Sequence, residues 1–97
     1  MKIKFEECET GGRYFIPEFG SQDVAELTFH FNEDGTITAD HTYVPHRKRG
    51  KGLAYKLLER LMEDAKARDW KIVPSCSYVA AEMRRKPEWR GFEAEKA

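Results

Sequence analysis

The clearest alternation of apolar and polar positions begins at Val24. Ala25, Leu27, Phe29 and Phe31 fall on one side of an extended segment, and Glu26, Thr28, His30 and Asn32 on the other, the period of two that marks a strand with one buried face. Asn32-Glu33-Asp34-Gly35 reads as a turn in which Gly35 supplies a positive φ. The chain then returns through β-branched residues from Thr36 to Val44, and Pro45 stops it. This predicts a hairpin. Two weaker strands precede it: residues 2–7, with Ile3 and Phe5 on one side, and Arg13 to Ile16, ended by Pro17. Gly11-Gly12 is expected to form the turn between them, and 18–22 a mostly polar loop.

Past the loop 46–51 the period changes. Leu53, Leu57, Leu58, Leu61 and Ala65 recur at helical spacing, with Glu59, Arg60, Glu63, Asp64 and Lys66 on the wet side, which predicts a helix from about Gly52 to Arg68. Asp69 is its expected end. A strand from Trp70 to Val73 follows, and Pro74 lacks the N–H that regular pairing needs. Ser77 is the expected N-cap of a second helix over Tyr78 to Arg85, with Arg84, Arg85 and Lys86 at its C-terminal end and Pro87 beyond. A strand-helix-strand step of this length makes its two strands parallel through a right-handed crossover. The prediction is an α+β domain spanning 1–97: a mostly antiparallel sheet of about five strands with a parallel last pair, and two helices.

Charge narrows the function classes. Seventeen basic and seventeen acidic residues cancel, so no global field draws the chain to nucleic acid or an anionic membrane. Apolar types at 40% against charged types at 35% suit a globular rather than a disordered chain. No apolar run reaches the length of a signal peptide or a bilayer span, and a cytoplasmic location is expected. Cys8 and Cys76 lie far apart without a CxxC pattern, so free thiols are expected. His30, His41 and His46 complete no metal-ligand spacing with them.

Within this neutral chain, Arg47-Lys48-Arg49-Gly50-Lys51-Gly52 places four cations immediately before a helix. The first helical turn leaves N–H groups unpaired and its dipole favours anions. Gly50 and Gly52 let the backbone come close to an oxyanion. GxxxxGK[ST] is absent, and GxGxxG begins at Gly50 but meets Tyr55 where its third glycine belongs. A solvated basic turn or a short nucleic-acid patch are the alternatives, and the missing extended basic face weighs against the latter.

Arg49-Gly50-Lys51-Gly52-Leu53-Ala54 resembles the acetyl-CoA signature [QR]-x-x-G-x-[GA] of the GNAT superfamily of N-acetyltransferases. Asp40-His41-Thr42 at the end of a strand and Ser75-Cys76-Ser77-Tyr78 after the helix resemble a short GNAT-like subfamily of roughly 100 residues, over approximately residues 24–90. The resemblance implies a truncated GNAT fold and acetyl-CoA as co-substrate, with an unidentified amine as acceptor. It implies that Arg47, Lys48, Arg49, Gly50, Lys51, Gly52, Leu53 and Ala54 hold the pyrophosphate, and that backbone groups of Tyr43 and Val44 meet the pantetheine amides. It also implies that the last two strands splay apart, for which Pro74 supplies a physical reason. Full-size members carry extra helices and C-terminal strands that this length leaves no room for, so a non-catalytic acyl-CoA-binding module is the alternative to an enzyme.

Two residues could do chemistry. Cys76 precedes a helix N-terminus, a position that lowers a thiol pKa; it is either an acyl-accepting nucleophile or a small apolar filler. His41 has a side chain suited to taking a proton near neutrality, or it fixes the sheet edge by a hydrogen bond. Asp40 is expected on the opposite sheet face from His41. Tyr78 either covers the cleft and donates a proton to departing CoA, or packs on the Leu-rich helix. Trp70, Trp89 and Phe92 read as core or edge aromatics, Arg84 and Arg85 as helix-end cations that could also reach a phosphate. Cys8, at a strand end, suggests nothing.

Overall fold

A computed structural model describes residues 2–17, 24–45 and 50–94. Strands β1 (Lys4–Glu7), β2 (Gly11–Ile16), β3 (Ala25–Phe31), β4 (Ile37–Tyr43) and β5 (Ile72–Pro74) lie side by side in sequence order. Helix α1 (Leu53–Arg68) links β4 to β5, and α2 (Ser77–Arg85) and α3 (Pro87–Arg90) follow. The first four strands are antiparallel and β4 pairs with β5 in parallel, as the alternation and the crossover predicted.

One face of the sheet carries the core. Tyr14, Ala25, Leu27, Phe29, Ile37, Ala39 and Ile72 are buried there against Leu53, Leu57, Leu58, Leu61, Met62 and Ala65 of α1. Val79 and Met83 of α2 and Trp89 of α3 close its end. Phe29 is a hub, its ring centroid 5.3 Å from that of Trp70, 5.7 Å from Phe31 and 5.8 Å from Tyr14, distances at which aromatic edges and faces attract. The Tyr14 hydroxyl donates to Asp64 Oδ2 on α1 at 2.7 Å. Burial and then that bond push the phenol's pKa well above its ordinary value. Helix α1 ends where Asp69 takes a left-handed φ of 57°. Among the described residues no helix is long and apolar enough to cross a membrane.

Four expectations are corrected. Gly11 and Gly12 are not the first turn but the start of β2; the chain turns before them, with Cys8 N–H donating to Gly11 O at 2.8 Å. They serve close approach instead, because a Cβ on Gly11 would stand 2.1 Å from Phe29 O and one on Gly12 2.6 Å from Glu6 O. Ser77 is the first residue of α2 and not its cap; Cys76 holds the cap position with extended backbone and no side-chain cap bond. Pro87 does more than end α2, since it opens the four-residue helix α3, where its missing N–H costs nothing. The described residues thus hold three helices rather than two. The fourth correction, the face of Asp40, belongs to the site.

Two substitutions separate packing from backbone approach. Leu61→Ala is expected to cost about 2–5 kcal/mol through the cavity it leaves. Gly11→Ala is expected to cost about 1–3 kcal/mol or more, since the Phe29 carbonyl cannot yield without breaking the β2–β3 ladder. Urea denaturation midpoints check both; an unchanged midpoint for Gly11→Ala would contradict the close approach.

Candidate functional site

The site is set by where β4 leaves β5. Their parallel register runs Ile37↔Ile72, Thr38↔Val73, Ala39↔Pro74. One further bond, Cys76 N–H to Ala39 O at 3.0 Å, joins the two segments before the chain turns into α2. Strand β4 continues to Tyr43 beside β3 alone. The pair parts after Pro74, the position the sequence indicated, but the missing N–H is not the cause. Ile72 N–H, two residues earlier, points away from β4 to Phe92 O at 2.7 Å, and position 74 would donate to that same side.

Beside this parting lies a cleft of about 360 Å³, lined by Thr42, Val44, Gly50, Gly52, Leu53, Ala54, Tyr55 and Tyr78. Gly52 caps α1 with φ 71° and ψ 21°, and Gly50 has φ 84°, both in the region that favours glycine. Among the described residues no side chain caps this helix end, and its first turn carries no acidic residue. Lys56 N–H is the first to reach an intrahelical carbonyl, that of Gly52 at 3.1 Å. The N–H groups ahead of it therefore give the end of α1 a partial positive charge.

An irregularity in β4 decides which side chains face the cleft. The β3–β4 register shifts between Thr28 and Phe29: Phe29 pairs with Ala39 but Thr28 pairs with His41, leaving Asp40 as an extra residue. Such a bulge reverses the alternation beyond it. Ala39 faces the core, yet two residues on His41 faces outward, and Thr42, opposite Leu27, faces inward. The expectation that Asp40 and His41 occupy opposite faces is corrected here, because alternation fails across a bulge. Asp40 nevertheless does not orient His41. It accepts from Thr28 Oγ1 at 2.5 Å and lies 2.8 Å from His30 Nδ1. Partial burial works to raise its pKa, but the bonds from Thr28 and His30 outweigh that and hold the carboxyl below the ordinary range.

His41 lies exposed on the outer face, 4.0 Å from Glu26 Oε2, with its ring stacked on Tyr43 at a centroid distance of 6.3 Å. Glu26 also receives Arg13, at 3.0 Å. Cys76 is half-buried on the cleft side, its Sγ 3.5 Å from Thr42 Oγ1. Burial pushes the thiol up, but the Thr42 hydroxyl and the N–H groups of Val79 and Tyr78 at the start of α2 more than offset it, leaving the thiol below its usual value. Burial, followed by Glu82, pushes the Tyr78 hydroxyl up.

The structure thus gathers Val44, Gly50, Gly52, Leu53, Ala54 and Tyr78 around one cleft, places Cys76 behind its lining residue Thr42, and sets His41 and the Tyr43 ring on the far face of the sheet. Lys51 is exposed between the two glycines. His46, Arg47, Lys48 and Arg49 lie outside the described residues. Thr42, to which the Asp40-His41-Thr42 motif assigned no role of its own, and Tyr55 also line the cleft. The bulge hid Thr42, and Tyr55 had registered only as the glycine missing from a dinucleotide pattern. Arg84 and Arg85 are engaged by Glu93 and Glu82, while Trp70 and Trp89 are buried. Both cysteines are free thiols, and no three His, Cys, Asp or Glu side chains among the described residues could hold a metal.

A mixed five-stranded sheet whose parallel pair opens beside a glycine-led helix defines an acyltransferase-like fold. The sequence profile of the GCN5-related N-acetyltransferase family matches residues 13–92, and the chain belongs to that family. A GCN5-like protein from Staphylococcus aureus, solved by NMR, superimposes with a TM-score of 0.73 at 24% identity, over 97% of this chain and 90% of that one. This likeness supports the fold.

The bulge makes a prediction about acid. The folded-state pKa of Asp40 lies below its unfolded value, so its contribution to stability is complete above about pH 4 and is lost as pH falls through the folded value. Asp40→Asn is expected to be less stable than the parent near neutrality and to lose less stability between about pH 5 and pH 2. Thermal midpoints across that range provide the check; parallel curves for the two proteins would contradict it.

Proposed function

We propose that the cleft binds acetyl-CoA and that the chain transfers its acetyl group to an amine. In this reading the pyrophosphate lies against the N-terminus of α1, between Gly50 and Gly52, with Arg47, Lys48, Arg49 and Lys51 supplying countercharge. Pantetheine follows the Tyr43–Val44 end of β4 and brings the thioester to Cys76. The observation that carries the reading is the coincidence, on one cleft, of a helix N-terminus and two glycines of positive φ, with the Cys76 thiol touching the lining residue Thr42. A neutral protein can hold an anion there because the positive charge is local.

Cys76, not His41, lies on the cleft side, which favours a two-step route. The Cys76 thiolate attacks the thioester carbonyl, an S-acetyl bond forms, and CoA leaves as a thiolate that takes up a proton, with Tyr78 as the nearby donor. The amine then attacks the acetyl carbon, and the cysteine leaves as a thiolate. The proton shed by the amine passes to water, since His41 lies on the far face of the sheet. The reaction is expected in the cytoplasm, where thiols stay reduced.

Arg49→Ala and Gly52→Val are each expected to weaken acetyl-CoA binding at least tenfold, about 1.4 kcal/mol. The first removes countercharge; the second forces a β-branched residue to a φ of 71°. Calorimetric titration reads both, and undiminished affinity in both variants would sink the loop assignment. Intact-mass measurement after incubation with acetyl-CoA is expected to show one acetyl adduct that Cys76→Ala abolishes. CoA release with a panel of amines and no Cys76-dependent adduct would instead establish direct transfer, and binding with no release at all a carrier module.

A further inference from the structure

The bulge at Asp40 exchanges the residues presented by the end of β4. Continued alternation from Ala39 would turn His41 and Tyr43 toward the core side and Thr42 away from it. The extra residue turns Thr42 inward, opposite Leu27, and brings its Oγ1 to 3.5 Å from Cys76 Sγ. Thr42 also lines the cleft together with Val44, Leu53 and Tyr78. A hydroxyl there has a use that a methyl lacks, since its proton can rotate. It accepts from the thiol S–H and donates to the thiolate once the proton has gone. The bulge is pinned from the outer face by Thr28 and His30 on the Asp40 carboxylate.

We propose that Thr42 is a positioning residue of the acyl-transfer site, donating a hydrogen bond that holds and favours the thiolate of Cys76, and that the bulge at Asp40 exists to deliver it. The assignment rests on Cys76 being the acetyl acceptor proposed above, but its test involves no acetyl-CoA. The remaining donors to this sulfur are backbone groups, of Val79 and Tyr78 at the start of α2 and of Thr42 itself, which no side-chain substitution at 42 removes. The titratable side chain beside Cys76 is Tyr78, coupled in turn to Tyr55 of α1 and to Glu82 and Arg85 of α2. Among the described residues no charged side chain contributes to holding the thiol low. Thr42 is therefore the side-chain contribution that mutation can isolate.

The experiment is the pH dependence of Cys76 alkylation by iodoacetamide in the full chain, followed by peptide mass. A Cys8→Ser background is used, because Cys8 is exposed and its thiol is also held low, by Thr10. Thr42→Val is expected to raise the apparent pKa of Cys76 by about half a unit or more, so that alkylation near neutrality slows about threefold. Thr42→Ser, which keeps the hydroxyl, is expected to retain the parent profile. A folded Thr42→Val protein whose profile superimposes on the parent's would overturn the proposal. So would a Thr42→Ser protein displaced as far as a Thr42→Ala control, an outcome readable even where the valine variant fails to fold. Loss of acetyl-CoA affinity in the Gly52 variant with no effect at Thr42, or the reverse, tells failure of one reading from failure of the other.

Discussion

Strand β4 has one residue more than its partner β3 can pair, and that mismatch organises the site. Ahead of the extra residue, Ile37 and Ala39 face the helices and complete the core. Beyond it the parity is reversed, so that Thr42 meets Cys76 while His41 and Tyr43 face outward. A bulge leaves ladder groups irregular, and here the irregularity is held by a charged side chain: Asp40 binds Thr28 and His30 across the strand. The hydrogen bonds that stabilise the bulge lie on the face away from the cleft. Among the described residues the cleft is lined by glycines and by apolar and hydroxyl-bearing side chains, and the thiol behind Thr42 is held low by that hydroxyl and by backbone N–H groups.

A second constraint acts at the same level of the sheet. β5 is only three residues long and ends in Pro74, so β4 outlives its parallel neighbour by the stretch that carries Asp40 to Tyr43. The chain turns at once into α2, whose first N–H groups reach the thiol of the residue that caps it. α1 begins at the other wall of the cleft, on Gly52. Two helix N-termini thus converge on one opening, one suited to a diphosphate and the other to a sulfur anion. In a chain whose formal charges cancel, this convergence is the local positive charge on which the proposed acetyl-CoA site relies. The mechanical support is the aromatic and leucine core beneath, with Tyr14 bonded to Asp64 fixing α1 against the sheet.

Periodic features were legible in advance. Alternation from Ala25 to Phe31, the Gly35 turn, the leucine stripe of α1 and the stop at Asp69 all appear where local physics puts them. So did the glycine loop, because left-handed backbone at Gly50 and Gly52 is a property of residue type. Gly11-Gly12 was misread for an instructive reason. Glycine signals either a turn or a tight approach, and only the Phe29 carbonyl, contributed by another strand, distinguishes the two.

The chain's own letters determined the order of elements, the face of each helix that is buried, and the presence of a basic glycine loop ahead of a helix, since each depends on neighbours within a few residues. Tertiary pairing alone decided that Asp40 is surplus in its strand, that Thr42 rather than His41 faces Cys76, and that Tyr55 lines the cleft. A bulge is a mismatch between two strands, and no count along one of them reveals it. The juxtaposition of Thr42 and Cys76 likewise depends on where β5 stops beside β4, across more than thirty residues of intervening chain.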